Sequence, residues 1–388
     1  MDHPVSSSTT PVPAYGPGVG PVLEKFPGVE RIAVLRGGGL GDLLYAYPAL
    51  TALKEGYPDA EITLLGTPIH EVLAAETAGP VNEVVILPFA EGVRDGAGDP
   101  SGQEQFFASM QARNFNLALQ MHGGGRYSNP FLLRLGAEHT VGTQTPDAAP
   151  LERNLDYIYY QNEPDRWLEV AGLAGAPPVI PGPIRPLAAH QRNIAPLLAR
   201  PERPLVVVHP GATDPRRRWP ASCFAEAAAK IAAEGAQVLV VGDGSERMLA
   251  QEVADLASGA LESGHTDAVR SVAGDLGLGD LAALLDAASV LLASDSGPRH
   301  LAQALGTPTV GIFWIGNAIN AGPRGRSLHR VHMSWETRCP VCGIDITQVG
   351  WTAPRCGHDD TVIRGVDVAA VVQDVRDLMA TSLLLRGK

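Results

Sequence analysis

Short runs of β-branched and leucine residues alternate with amphipathic segments along this chain, and the alternation occurs twice. The first series starts with RIAVLR at 31–36, which is followed by a helix predicted from Asp42 to Glu55. The second series starts with LVVVHPG at 205–211. Strand and helix signals that alternate in this way are typical of parallel sheets covered by helices on both faces. The sequence therefore predicts an α/β protein with two doubly wound, Rossmann-like domains that face each other across a central cleft.

The predicted domain boundaries follow the segments that interrupt this alternation. An N-terminal segment rich in Pro, Ser and Gly is expected to be a flexible tail, and a segment dense in Pro is expected to be a linker. The predicted divisions are the tail at 1–28, a first domain at 29–180, the linker at 181–204, a second domain at 205–365 and a C-terminal helix at 366–388. Two domains agree with a length of 388 residues.

Charge and composition exclude several classes of protein. The chain has 30 Lys and Arg against 42 Asp and Glu, a net charge of −12, which disfavours binding to nucleic acid or to an anionic membrane. The sequence has no apolar run of the ~20 residues that span a bilayer, and its N-terminus lacks the basic and apolar regions of a secretory signal. We therefore expect a cytoplasmic protein whose membrane contact is at most peripheral, at the inner face.

A glycine turn that ends on an acid, GGGLGD at 37–42, follows the first predicted strand. The dinucleotide pattern G-x-G-x-x-G fails because Asp42 occupies its third glycine position, so an NAD-dependent oxidoreductase is disfavoured. Two interpretations of Asp42 are open. It can be the N-cap of the following helix, or a carboxylate at the cleft edge that serves as a general base.

Two loops of the second series have the composition of anion sites. HPGATDPRRRWP at 209–220 contains three consecutive arginines, and guanidinium groups bind phosphate through paired hydrogen bonds without a metal. SVLLASDSGPRHLAQALG at 289–306 predicts a strand followed by a helix that begins at Pro298, whose free N–H groups favour an anion. The alternatives are a solvated run of charge for the first loop and purely structural turn residues for the second.

The candidate ligand-binding residues come from these loops and from QVLVVGDGSER at 237–247. The residues predicted to contact a diphosphate are Thr213, Arg217, Arg218, Ser296, Gly297, Pro298 and His300. Asp295 is expected to bind sugar hydroxyls or to fix the turn, and Gly242 and Glu246 are expected near a bound nucleotide and its ribose.

Several blocks of the sequence, in their order and spacing, are similar to one family. They are residues 31–66, 209–228 and 294–314, with a weaker match at 117–142. Together they resemble glycosyltransferase family 9, the ADP-heptose:lipopolysaccharide heptosyltransferase type, over nearly all of the chain except the tail. The resemblance implies a GT-B fold with an acceptor-binding first domain and a nucleotide-sugar-binding second domain.

The resemblance also implies an activity. It is a metal-independent, inverting transfer from a nucleotide-diphosphate sugar, ADP-heptose or similar, to a hydroxyl of a glycan or glycolipid such as lipopolysaccharide core. The family's general base falls on Asp42, and Gly39, Gly41 and Arg126 fall on the acceptor side. The family's basic pair falls on the last two arginines of the run, although its first position is commonly lysine. Two alternatives are a nucleotide-sugar 2-epimerase of the same architecture and a catalytically silent nucleotide- or glycan-binding module.

Three of the four cysteines lie close together in the sequence and form a C-x2-C-x13-C-x-H pattern with one histidine. The residues are Cys339, Cys342, Cys356 and His358. This set offers four ligands of the type that zinc prefers, but free thiols and a disulfide are open as alternatives. A zinc held by all four residues would be structural, because a filled site has no open position for a substrate. We therefore expect no cofactor in catalysis.

Overall fold

The computed structural model describes residues 19–96, 102–198, 203–262, 268–347 and 355–386. The elements of the first half are β1 (Arg31–Leu35), α1 (Leu40–Gly56), β2 (Glu61–Gly66), α2 (Pro68–Glu76), β3 (Glu83–Ile86), α3 (Gln103–Gln111), β4 (Leu117–Gln120), α4 (Ser128–Leu133), β5 (His139–Gln144), β6 (Arg153–Asp156) and α5 (Glu163–Leu173). A connecting helix, α6 (Ala188–Ile194), follows. The elements of the second half are β7 (Leu205–His209), α7 (Ala221–Ala233), β8 (Gln237–Val240), α8 (Arg247–Gly259), β9 (Val269–Ser271), α9 (Leu278–Ala287), β10 (Val290–Ser294), α10 (Gly297–Leu305), β11 (Thr309–Trp314), α11 (Ile315–Ala321), β12 (His329–Ser334) and α12 (Val368–Arg386).

Each half forms a six-stranded parallel sheet, and the two sheets have equivalent strand orders. The first order is β3-β2-β1-β4-β5-β6, and the second is β12-β11-β10-β7-β8-β9. The chain reverses its direction of winding between β1 and β4 in one sheet and between β7 and β10 in the other. Open parallel sheets bind their ligands at this point, at the carboxyl ends of the strands. The prediction of two doubly wound domains is confirmed.

A continuous apolar core joins the two domains. The buried face of α1 includes Leu50 and Leu53, and α1 packs against α5 of its own domain and α10 of the other. Trp167 on α5 is fully buried in the same cluster, which extends into the second domain through Leu284 and Leu301. Because burial of large apolar side chains is the main stabilising contribution, this contact fixes how α1 and α10 face each other.

Three strands are absent from the prediction, and the helix after the glycine turn begins two residues earlier than predicted. The missed strands are β5, β6 and β12, whose sequences HTVGTQ, RNLD and HRVHMS lack the apolar runs of central strands. Helix α1 begins at Leu40, two residues before the predicted start at Asp42, because the glycine turn itself supplies the N-cap.

The predicted flexible tail extends too far along the chain. Residues 1–18 lie outside the described residues, but 19–28 pack against the first domain. Phe26 is buried, stacks on His139 at a centroid distance of 4.1 Å, and its N–H donates to Tyr57 Oη. The N–H of Leu23 donates to the carbonyl of a residue in α5. The boundary at 28 is therefore wrong for this stretch, because apolar residues among the prolines bury themselves on the domain.

The C-terminal helix belongs structurally to the second half. Helix α12 packs against α7 and against β10 and β11, and Val371, Val375 and Leu378 are buried there. Among the residues that the structure describes, no helix combines the length and the apolar character needed to cross a bilayer.

Helix α6 in the predicted linker joins the two domains through a histidine. His190 Nδ1 lies 2.7 Å from Asp280 Oδ1 on α9, and its Nε2 contacts the Glu76 carboxylate at the end of α2. The hydrogen bond to Asp280, together with that to Glu76, raises the pKa of His190. The linker boundaries at 181 and 204 stay a prediction.

The stability contributed by His190 is expected to depend on pH. A raised folded-state pKa means that this stability is fully present below the unfolded-state pKa of about 6.5 and is lost as the pH rises through the folded-state pKa. The difference in unfolding free energy between the native chain and His190→Ala should therefore be largest near pH ~6 and shrink above it. Urea unfolding at a series of pH values measures this difference, and a difference independent of pH would contradict the expectation.

Candidate active site

Asp42 lies in the first turn of α1, beyond the carboxyl end of β1. Its Oδ2 accepts a hydrogen bond of 2.9 Å from the N–H of Gly39, which is the N-cap of the helix. The interpretation of Asp42 as the N-cap is therefore wrong, since it closes the turn from the third helical position. Its side chain is still 47% exposed. The carboxylate can therefore be reached from the cleft.

Arg36, the residue after β1, holds the second oxygen of this carboxylate. Its Nη2 lies 3.0 Å from Asp42 Oδ1, and its Nε donates to the Asp42 carbonyl at 2.8 Å. Nη1 donates to the Met121 carbonyl at 2.7 Å, and the guanidinium lies over the Trp167 ring. The side chain is 4% exposed. The sequence offered one signal for this residue, a basic side chain at the carboxyl end of the first strand, and the prediction missed it.

Two glycines before the helix are required by the geometry of the turn. Gly38 has φ +90°, which favours glycine, and a methyl group there would lie 2.5 Å from Asp42 Cγ. A methyl group on Gly37 would lie 2.3 Å from the carbonyl oxygen of Val93. The close approach of the backbone thus brings Arg36 and Asp42 together.

Asp295 lies at the carboxyl end of β10 and is 2% exposed. Its Oδ2 accepts hydrogen bonds from Arg217 Nη1 at 3.2 Å and Asn317 Nδ2 at 2.7 Å. Its Oδ1 accepts from Arg299 Nη2 at 3.3 Å and lies 3.1 Å from His300 Nε2. Burial by itself would raise the pKa of Asp295. The hydrogen bond to His300 and the charges of Arg299 and Arg217 outweigh burial and lower this pKa well below its usual range. Asp295 is therefore the anionic centre of a buried basic cluster.

His300 joins this cluster to the other domain. Its Nε2 lies 2.6 Å from Tyr45 Oη on α1, and the two rings meet edge to face. Burial and the charge of Arg299 lower the pKa of His300 to about 4, so the ring is neutral near pH 7. Arg299 Nη2 lies 2.8 Å from Nδ1 and 3.1 Å from Nε2 of this ring. A methyl group on Gly41 would lie 3.1 Å from His300 Cδ2, so the first turns of α1 and α10 are in contact.

The three arginines of the second domain have different environments. Arg216 is buried and paired with Asp214, whose hydrogen bond raises the pKa of the guanidinium. Arg217 contacts the buried Asp295 carboxylate, and Arg218 Nε donates to a backbone carbonyl of the same loop. Thr213 is exposed beside them. The interpretation as a solvated run of charge is therefore wrong, because one arginine is buried and the other two are only partly exposed.

The start of α10 contacts a second histidine. Ser296 is the N-cap of α10, and its Oγ lies 3.0 Å from His209 Nδ1 at the end of β7. His209 Nε2 lies 3.1 Å from Glu246 Oε2. Burial alone would raise the pKa of Glu246, but this hydrogen bond and the charge of His209 lower it. A methyl group on Gly242 would lie 2.9 Å from Glu246 Cβ.

The structure brings most of the predicted residues to the facing edges of the two sheets. Helix α10 begins at Gly297, one residue before the predicted start at Pro298. Arg126 stands apart because it is exposed, lies over the Tyr127 ring and pairs with Asp147 at 3.5 Å. The contacting residues that the sequence did not single out are Arg36, Tyr45, His209, Arg299 and Asn317.

The four residues of the cysteine–histidine pattern converge. The ligand atoms of Cys339, Cys342, Cys356 and His358 all lie within 4.8 Å of one another. The cysteines are free, so the alternative of a disulfide is wrong. A backbone hydrogen bond from Cys342 lowers the pKa of Cys339 to about 6, which favours the thiolate that binds metals. Three sulfurs and one nitrogen that meet around one point form a donor set suited to tetrahedral zinc.

Comparison with known proteins shows which family the chain belongs to. Residues 105–340, more than half of the chain, match glycosyltransferase family 9 (heptosyltransferase). The chain belongs to glycosyltransferase family 9. Within that family, it is 34% identical to lipopolysaccharide heptosyltransferase 2 of Salmonella typhimurium over 113 residues, which cover 29% of this chain and 31% of that enzyme. The chain thus matches about a third of the length of this relative.

Two further family 9 relatives match over nearly their whole length. The lipopolysaccharide core heptosyltransferase OpsX of Haemophilus influenzae is 21% identical over 357 residues, which cover 90% of this chain and 97% of that enzyme. The structure of E. coli ADP-heptose lipopolysaccharide heptosyltransferase II superposes with a TM-score of 0.68 at 18% identity, covering 91% of this chain and 99% of the other. At this identity the structural match concerns the fold, and the GT-B arrangement is confirmed.

The Asp295 cluster is expected to be a major source of stability. Asp295→Asn leaves buried guanidinium groups without their counter-charge, and loss of one partner of a buried ion pair costs about 3–5 kcal/mol. Asp275→Asn is the matched control, because Asp275 forms an ion pair with Arg247 in which both side chains are more than half exposed, and such pairs contribute about 0–1 kcal/mol. Equal unfolding midpoints of the two variants in urea would contradict the expectation.

Proposed function

We propose that the chain is an inverting, metal-independent glycosyltransferase that acts on a nucleotide-activated heptose. The donor is ADP-heptose or a similar nucleotide-diphosphate sugar, and the acceptor is a hydroxyl of a glycan or glycolipid such as lipopolysaccharide core. One observation carries the proposal: the cleft-facing Asp42 carboxylate lies on a helix start that touches the start of α10. The names of the relatives support the donor and acceptor classes. The protein works in the cytoplasm, with at most peripheral contact with the inner face of the membrane.

Asp42 is the general base in this mechanism. Hydrogen bonds from the Arg36 guanidinium and from the Gly39 N–H hold the carboxylate in one orientation, and each oxygen keeps a lone pair that can accept a proton. The acceptor oxygen bonds to the anomeric carbon as the bond from that carbon to the diphosphate oxygen breaks. The acceptor proton goes to Asp42, and the electron pair leaves with the diphosphate. Because a helix start favours the ionised carboxylate and so limits its basicity, much of the rate must come from stabilisation of the leaving group.

The leaving diphosphate is stabilised from the second domain. Arg217 and Arg218 supply guanidinium donors, and the Ser296 hydroxyl and the N–H of Gly297, the first residue of α10, supply neutral ones. Thr213, Gly297, Pro298 and His300 complete this surface, and Asp295, buried behind it, acts at the donor sugar by positioning Arg217 and Asn317. Gly242 and Glu246 lie against the nucleotide. Gly39, Gly41 and Arg126 lie on the acceptor side. Donors arranged before the reaction need no reorganisation as charge develops.

The two alternative functions are weaker. A 2-epimerase of this architecture needs acids after the D-S-G turn, where this chain has Arg299 and His300, both buried. A silent nucleotide- or glycan-binding module has no use for an exposed carboxylate held as Asp42 is held. A silent module would bind ADP without turnover of ADP-heptose.

Replacement of Asp42 tests the mechanism. Asp42→Asn keeps an oxygen for the Gly39 N–H but cannot accept the proton, so transfer from ADP-heptose should fall at least ~100-fold. ADP binding, measured by calorimetry, should stay within about threefold of the native value, because the nucleotide lies on the other domain. Asp59→Asn, on the exposed turn after α1, is the control and should transfer at the native rate. Native turnover by Asp42→Asn would exclude this residue as the base.

We also propose a structural zinc at Cys339, Cys342, Cys356 and His358. The donor set supports it, and four protein ligands leave no position for a substrate. The chain purified without chelators should contain about one zinc per molecule by elemental analysis. Cys342→Ser should lose it, whereas Cys223→Ser, which alters the cysteine outside the cluster, should keep it. Less than a tenth of an equivalent of zinc in the native chain would refute the zinc site. Iron should be measured in the same sample, because tetrahedral thiolate sites also bind iron.

A further inference from the structure

The chain segment that leaves the cysteine–histidine cluster is hydrogen-bonded to the arginine loop, which we define as residues 213–218. The N–H of Val362 donates to the carbonyl of Arg216 at 2.9 Å. The hydroxyl of Thr361 donates to the carbonyl of Arg218 at 2.6 Å. These two carbonyls flank Arg217, whose side chain bonds Asp295. The backbone of the loop is therefore held by hydrogen bonds on both sides of Arg217.

A charged contact also links the same loop to the residue that precedes Cys356. Arg355, the residue before Cys356, lies 3.5 Å from Asp214 Oδ1. Asp214 also caps the loop through the N–H of Arg216 and pairs with the Arg216 guanidinium. The arginine loop is thus contacted by the residue before Cys356 and by the residues three and four positions after His358.

One of the other two ligands belongs to the core of the second domain. Cys339 is 5% exposed and belongs to the same apolar cluster as Ile346 and Ile363. A tight turn joins it to the exposed Cys342, and in this turn the N–H of Cys339 donates to the carbonyl of Ile344 at 2.8 Å. The indole N–H of Trp314, at the end of β11, donates to the carbonyl of a residue just before this turn. Ile363 already anchors one end of the segment that touches the arginine loop in this core, and a metal would tie the other end of that segment to Cys339.

We propose that the metal bound by this cluster fixes the arginine loop in its diphosphate-binding position, so that affinity for the donor depends on the metal. The proposal rests on the proposed donor site and on the proposed zinc. The metal contacts neither substrate and takes no part in the transfer. The arginine loop lies in the second domain, so affinity for the donor is the property that should respond to the metal.

Loss of the metal should weaken ADP binding. Cys342 is the exposed ligand, so Cys342→Ser removes a sulfur with the least disturbance of the core. We expect its zinc to be lost, its dissociation constant for ADP to rise at least about fivefold, and its KM for the acceptor to be unchanged. Amide hydrogen exchange should become faster at Val362 and at residues 213–218. Cys223→Ser should match the native chain in all four measurements.

A second pair of variants tests the connection without touching a metal ligand. Thr361→Val has nearly the same volume but lacks the hydroxyl that bonds the Arg218 carbonyl. We expect native zinc content and an ADP dissociation constant about threefold to tenfold higher, the scale of one hydrogen bond. Thr381→Val is the matched control, because its hydroxyl bonds a carbonyl within α12, away from the loop, and should leave ADP binding unchanged.

The outcomes separate the three proposals. If Cys342→Ser loses zinc but binds ADP and exchanges its loop amides as the native chain does, the coupling is refuted and the metal site stands. If the native chain contains no metal, the site and the coupling both fail. If the native chain binds no ADP, the proposed donor site is wrong. The coupling can then be tested separately: unchanged amide hydrogen exchange at residues 213–218 after a chelator has removed the zinc would refute it.

Discussion

The buried carboxylate of Asp295 organises both the edge of the second sheet that faces the cleft and the contact between the domains. Ionic groups away from water persist only when they are paired, and this carboxylate pairs with guanidinium groups from the arginine loop and from α10. The same oxygen that accepts from α10 also lies against His300, whose ring reaches Tyr45 on the first domain. A single buried charge therefore sets the positions of Arg217 and of the His300 ring, and through that ring the contact between α1 and α10.

The basic residues of the cleft are mostly neutralised within the protein, which is consistent with a net charge of −12. Arg36 is paired with Asp42, Arg216 with Asp214, and Arg217 with Asp295. A cleft built in this way does not attract polyanions over long distances. An anion gains affinity only where its oxygens can compete with these carboxylates at hydrogen-bonding distance, which selects a compact, doubly charged group over an extended one.

Much of the fold could be predicted from the sequence, because central parallel strands are apolar along their whole length and glycine turns mark their carboxyl ends. The same local signals identified Asp42 and Asp295. The residues that hold them were missed for a physical reason. Arg36 matters only because β4 and α5 pack beside it, and Tyr45 only because α10 of the other domain lies against it. Contacts between distant segments leave no local pattern, and β6 and β12 are edge strands whose polar sequences resemble loops.

The equivalent strand order of the two sheets has an evolutionary consequence. Each half presents its own crevice, so the side chains that would select the acceptor and those that would select the donor lie on separate stretches of the gene. Recombination within the segment that encodes α6 would exchange one set and leave the other intact. The apolar contact between α1 and α10, and the Tyr45–His300 pair, are then what limits which halves are compatible.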